Sequence, residues 1–172
     1  MASPTPAFLV ARAIRGSAHV FQVYIEPRRI CFIRIGAGPG AEHAMAAHGG
    51  LIGALIMLAF SSARKKKEQR RIEENQTKTI DQMLTDHKVN HAIWISDMTD
   101  VSLEPGGWTM AKGTVNWRFQ VPGEKKRALC IFRKVEDIAA AMEVLPRVFR
   151  DVRVEVQLNE RSGKYLKKKP GN

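Results

Sequence analysis

Apolar and polar positions along this chain change period several times, and each change marks a new element. His19-Val20-Phe21-Gln22-Val23-Tyr24-Ile25 is dominated by β-branched and aromatic residues, the composition of a strand. Glu26-Pro27-Arg28-Arg29 supplies a turn, with Pro27 preset for its first corner. The apolar run from Ile30 to Ile35 then completes a hairpin. Gly36-Ala37-Gly38-Pro39-Gly40 breaks the pattern, and from Ala41 to about His87 the spacing predicts one long helix or two joined ones. Within it, 44–60 is apolar apart from His48, 61–74 is strongly charged, and Ile72, Ile80, Met83 and Leu84 recur at helical spacing.

Strands resume at Ala92-Ile93-Trp94-Ile95 and at Val101-Ser102-Leu103, the latter closed by Glu104-Pro105-Gly106-Gly107. Two more are expected at 109–121 and 127–133, joined across Pro122-Gly123-Glu124-Lys125. Strict alternation in Val115-Asn116-Trp117-Arg118-Phe119-Gln120-Val121 is the signature of a strand with one wet face. Residues 135–149 return to helix, with Ile138, Ala139, Met142, Leu145, Val148 and Phe149 on one stripe. Glu136 and Asp137 suit its positive N-terminal end, and Pro146 bends or stops it. Val152 to Val156 alternates once more, and the polar stretch from Glu160 onward is expected to be loose. Near the N-terminus, Phe8-Leu9-Val10-Ala11 is too short for a signal-peptide core, and Arg12 and Arg15 fall on its wrong side.

These elements predict an α+β fold: an antiparallel sheet or partly open barrel with a long inserted helix and a C-terminal capping helix. The expected organisation is an N-terminal arm at 1–16, a sheet domain at 17–36 plus 92–157 that includes helix 135–149, an inserted helical segment at 41–88, and a basic flexible tail at 158–172.

A length of 172 residues with 44% hydrophobic side chains suits one domain with an appendage. Two cysteines, Cys31 and Cys130, are too few for a disulfide framework. Both sit in apolar runs, where a reduced thiol behaves as a small hydrophobe. The net charge of +11 is concentrated: Arg64 to Arg71 holds six cations and one anion, and Arg161 to Lys169 holds five cations and none. The rest of the chain is close to neutral. Such placement points to anionic surfaces more than to the single cationic face of a nucleic-acid-binding domain.

Few motifs survive scrutiny as chemistry. Gly36-Ala37-Gly38-Pro39-Gly40-Ala41 matches a dinucleotide-binding fingerprint locally. Its strand, however, belongs to an antiparallel hairpin, Pro39 lacks an N–H, and no acid stands about 20 residues on. His87 and His91 are four apart and would share a helix face, with Asp86 beside them. Lys88 stands where a zinc protease has Glu, and structural zinc needs four ligands, so solvated capping residues are expected there. Asp97, Asp100 and Glu104 follow strand ends, where turn chemistry accounts for them. No cofactor, no metal and no catalytic residues are expected.

The central helix is the most unusual segment. Gly49 and Gly53 form one small-residue step, and Ala46, Gly50 and Ala54 form an adjoining ridge. Glycine inside a helix costs about 1 kcal/mol against alanine, so close packing has to compensate, either against a second helix or against the domain's own sheet. At about 1.5 Å per residue, 44–60 reaches about 26 Å, short of a hydrocarbon core of about 30 Å. A span would also divide the strands between two compartments. A helix lying on a membrane or pairing with its copy keeps the sheet whole and uses the cations behind it.

Val23-Tyr24-Ile25-Glu26-Pro27-Arg28-Arg29-Ile30-Cys31-Phe32-Ile33 and Ile93-Trp94-Ile95-Ser96-Asp97-Met98-Thr99-Asp100-Val101-Ser102-Leu103 resemble stretches of bacterial pleckstrin-homology-like domains. The likeness covers 17–36 and 92–149 through apolar patterns. It implies a barrel with 135–149 plugging one end. Familiar members bind phosphoinositides through a basic loop between the first two strands; here that turn is Glu26-Pro27-Arg28-Arg29, short and with two cations. What carries over is a binding scaffold.

The expected function is therefore non-enzymatic binding or scaffolding, in the cytoplasm and peripheral at the membrane. The helix-pairing positions are Ala46, Gly49, Gly50, Gly53 and Ala54. The anion-binding positions are Arg64, Lys65, Lys66, Lys67, Arg70, Arg71, Lys167, Lys168 and Lys169. Expected partners are a second copy or another protein and an anionic lipid surface. The alternative is a nucleic-acid binder using the basic helix and tail, although Tyr165 is the sole aromatic residue among the tail cations.

Overall fold

The computed structural model describes residues 4–14, 17–37, 50–106, 114–132 and 134–168; for 50–62 only the helical backbone is described. Among the described residues ten strands and three α-helices follow in order: β1 (Phe8–Ile14), β2 (Ser17–Ile25), β3 (Arg29–Ala37), α1 (Gly50–Asn75), α2 (Ile80–Thr85), β4 (His91–Trp94), β5 (Thr99–Pro105), β6 (Val115–Gln120), β7 (Ala128–Phe132), α3 (Val135–Val148), β8 (Arg153–Val154), β9 (Val156–Asn159) and β10 (Lys164–Lys167). Eight strands form one sheet in the order β4-β3-β2-β1-β7-β6-β5-β8, antiparallel except where β8 joins β5. The sheet curls into a half-barrel.

The curl follows from the side chains. One face carries Phe8, Val10, Phe21, Val23, Phe32, Trp117, Phe119 and Phe132, all buried in one cluster. Phe8 meets Trp117 edge-on at 5.7 Å, and Phe32 stacks on Trp117 at 5.8 Å. Bulges at Val20/Phe21 and between Thr99 and Ser102 add bend, and Asp100 takes φ 50° in the second. Helix α3 lies against β1 and β7, burying Ile138, Ala141 and Leu145. It continues past Pro146 to Val148, so the last turn lacks the N–H that would have bonded the Met142 carbonyl. Asp137 at its start accepts the Leu9 N–H at 2.8 Å.

The outer face of β2 and β3 is covered by α1 and α2. Tyr24, Cys31 and Ile33 pack against Met83, Ile80 and Leu84. A capping box between Thr79 and Gln82 starts α2. A Cβ on Gly36 would lie 2.6 Å from Glu68 Oε1, so the absent side chain is what lets α1 seat on β3.

The hairpin expected at 19–35, the alternating strand at 115–121 and the stripe at 135–149 coincide with elements of the structure. Several expectations need correction. Phe8–Ile14, read as part of an arm, is a central strand paired with both β2 and β7. Its outward positions Leu9, Ala11 and Ala13 are all apolar, and the inward Arg12 is buried, so no polar alternation marks the strand. In consequence the turn at Glu26–Arg29 joins the second and third strands rather than the first two. The strand expected at 109–121 is β6 from Val115, with 107–113 outside the described residues. The single strand expected at 152–156 is divided at Glu155 into β8 and β9.

The tail is not loose through 168. β9 and β10 pair as a hairpin across a turn in which Gly163 takes φ 61°. Burial of Val156 and Tyr165 against the core holds it in place. Glu104, expected at a turn, lies within β5 and pairs with Arg118 and Arg127.

Candidate functional site

β1 and β7 pair over only three positions, Val10–Arg12 against Cys130–Phe132. Beyond Arg12, β1 continues with β2 alone, while the start of β7 stays with β6. The strands therefore splay, and the fork opens a cleft of about 950 Å³. One wall is the turn after β6, with Val121, Glu124, Lys126 and Arg127; the other carries His19, Arg34, His87, Lys88 and His91. Among the described residues, five Lys or Arg side chains line it against a single acid, Glu124. Phase along the strands places the key residues: Arg12 follows Phe8 and Val10 on the inner face of β1, and Arg34 follows Phe32 on β3.

At the floor, Arg12 is 7% exposed and sits above the rings of Phe32 and Phe119, at 5.3 and 5.2 Å from their centroids. It contacts Glu124 at 3.3 Å and donates to His91 Nε2 at 3.0 Å. His91 Nδ1 faces the Val89 carbonyl at 2.9 Å, which fixes the neutral tautomer with its proton on Nδ1. The ring stacks on Phe32 at 4.9 Å. Burial, reinforced by Arg12, depresses the His91 pKa to about 4.

Towards the mouth, the arrangement is richer in donors than in acceptors. Arg34 Nε donates to His19 Nδ1 at 3.2 Å, and one Arg34 terminal nitrogen approaches His87 Nε2 at 3.2 Å. The Val89 N–H meets the other ring nitrogen, His87 Nδ1, at 3.2 Å. A neutral imidazole accepts at one nitrogen only, so one of these two donors lacks an acceptor. Desolvation and then Arg34 lower the His19 pKa. Desolvation, then Arg34, Arg71, His19 and Lys88, lower that of His87. Arg34 itself is lowered by desolvation and by Arg71. Among the described residues Arg34, Lys88 and Lys126 make no ion pair, whereas Arg127 is committed to Asp100 and Glu104.

The residues expected to bind anions lie elsewhere. Lys65, Lys66, Lys67 and Arg70 are exposed along α1; Arg64 is half-buried and pairs with the buried Glu68 at 3.4 Å. Arg71 turns towards Arg34 beside a smaller hollow between α1 and β3. Lys167 and Lys168 are exposed at the end of β10; Lys169 lies outside the described residues. The eight described positions thus lie on two elements, six on α1 and two at the end of β10. Of the helix-pairing positions, Ala46 and Gly49 lie outside the described residues, and Gly50, Gly53 and Ala54 fall in the part of α1 known by backbone alone. Among the described residues no helix is long and apolar enough to cross a membrane.

His87 and His91 do not share a helix face. α2 ends at Thr85 and His91 opens β4, so the two rings take different partners around the cleft. Neither cysteine is a nucleophile candidate, since burial pushes both thiols up to about 12.

Sequence reasoning missed Arg12, His19, Arg34, Lys88, Glu124 and Lys126, which are scattered over more than a hundred positions. The signal available was phase: Arg12 and Arg34 each occupy an inward position of an apolar strand. Comparison with family models, with curated proteins and with solved structures finds no match for this chain.

Proposed function

We propose that this chain is a non-catalytic binding module, of pleckstrin-homology-like architecture, that attaches to an anionic membrane surface through α1. The observation that carries the reading is the row Lys65, Lys66, Lys67 and Arg70, all exposed on one helix whose first half is apolar in sequence. A cationic stretch beside an apolar one supports attachment, because each cation near an anionic leaflet contributes about 1 kcal/mol. Strands β1 to β7 followed by the amphipathic α3 support the architectural part, with α1 and α2 inserted between β3 and β4. The buried, high-pKa thiols favour binding over catalysis.

Co-sedimentation with vesicles tests this. Phosphatidylserine–phosphatidylcholine vesicles should retain the full chain at low salt, and phosphatidylcholine alone should not. Replacing Lys65, Lys66, Lys67 and Arg70 by Gln should weaken retention by about three orders of magnitude, from about 4 kcal/mol. Retention that ignores both the lipid charge and the four substitutions would sink the reading. Light scattering on the same samples, with Gly49→Leu and Gly53→Leu, reads the competing role of the helix in pairing two copies.

A further inference from the structure

We propose that the cleft at the fork of β1 and β7 is a binding site for a small organic phosphate, its phosphoryl group held between Arg34, His87 and Lys88. Geometry and donor count carry this. Arg34 has no carboxylate partner among the described residues, and the acceptors its guanidinium meets there are the ring nitrogens of His19 and His87. His87 faces a donor at each ring nitrogen, one more than a neutral ring can accept. A phosphate supplies several acceptor oxygens to such a cluster, and a guanidinium engages it bidentately.

Cleft size and lining extend the argument from an ion to an ester. A cleft of about 950 Å³ is at the upper end of what small-molecule sites occupy, roughly 300–1,000 Å³. Ala11, Ile14, Val121 and Ile131 contribute apolar lining beside the cations. Glu124, the lone acid of the described lining, is already engaged by Arg12, so it does not neutralise the mouth. The charges facing His87 come from β3 (Arg34), α1 (Arg71), β2 (His19) and its own loop (Lys88), and all oppose its protonation. Asp86 is paired with Lys78. A bound dianion reverses that balance, so binding takes up a proton at His87 or His19.

The test is a titration of the full chain, with labelled histidine imidazoles, by phenyl phosphate, with benzyl alcohol as the uncharged control. Phenyl phosphate should shift the His19 and His87 signals saturably, with Kd below about 1 mM, and raise the His87 pKa; benzyl alcohol should do neither. Arg34→Gln and His87→Gln should each weaken binding tenfold or more with the strand amide spectrum preserved. Arg34→Lys, which keeps the charge and loses the fork, substitutes for Arg34→Gln if the latter does not fold, and should also weaken binding. Replacing Lys65, Lys66 and Lys67 by Gln should leave this Kd unchanged, which separates the cleft from the membrane role of α1. Phosphatidic acid vesicles that displace phenyl phosphate would place the phosphate on a lipid headgroup; vesicles that do not would leave a free solute as the ligand. No saturable shift, or a Kd indifferent to Arg34 and His87, would overturn the proposal.

Discussion

His91 couples stability to pH through its burial. Its folded pKa is held near 4, against 6.5 for the free side chain, so between those values the unfolded chain binds the proton first. The stability it contributes is complete above about pH 6.5 and is lost as pH falls towards 4, on the order of 3 kcal/mol in all. His19 and His87, also lowered, act in the same direction. Urea unfolding at pH 7 and pH 5 should show the loss, and His91→Gln, which keeps an acceptor for Arg12, should flatten much of it. At the same scale the two thiols are inert: Cys31 and Cys130 are buried with pKa values near 12. At pH 8 a thiol reagent should label neither in the native chain and both after unfolding. Rapid native labelling would contradict their burial.

At the scale of elements, the hairpin β9–β10 depends on very few contacts. Val156 and Tyr165 are its two buried residues, and a backbone bond from Lys168 N–H to the Glu155 carbonyl at 2.8 Å holds its end. Tyr165→Ala should cost about 3 kcal/mol by analogy with large aromatic truncations. It should also make 160–168 the first site of limited proteolysis. A protease pattern unchanged from the parent chain would mean that the hairpin is anchored some other way. Gly36 is the comparable control point on the other side of the sheet: Gly36→Ala forces Glu68 aside and should lower the urea midpoint. Glu68→Ala in the same chain should give back part of that loss, because the two substitutions share one contact.

At the scale of the whole molecule, β1 is what makes one sheet of two. Without it, β2, β3 and β4 have no hydrogen-bonded link to β5, β6 and β7. Deleting residues 1–14 should therefore abolish cooperative unfolding and dispersed amide signals, rather than trim an appendage. A truncated chain that still melts cooperatively would refute this. The same strand carries Arg12 into the fork, so the cleft and the continuity of the sheet arise from one element.

Local pattern determined much of this protein. Alternation at 115–121, the aromatic hairpin at 19–35 and the apolar stripe at 135–149 are short-range signals, and each follows from which face of a single element is buried. The cationic run of α1 was equally legible, since charge needs no partner to be counted. Tertiary structure alone decided β1, the tail hairpin and the cleft. β1 has apolar Leu9, Ala11 and Ala13 on its outward side and a buried arginine on its inward side, so it carries no alternation to read. The tail hairpin rests on a tyrosine whose burial depends on a surface built by distant strands. The cleft needs Arg12, Arg34, His87 and Glu124 brought together from β1, β3 and two loops, and no periodicity within one element records that meeting.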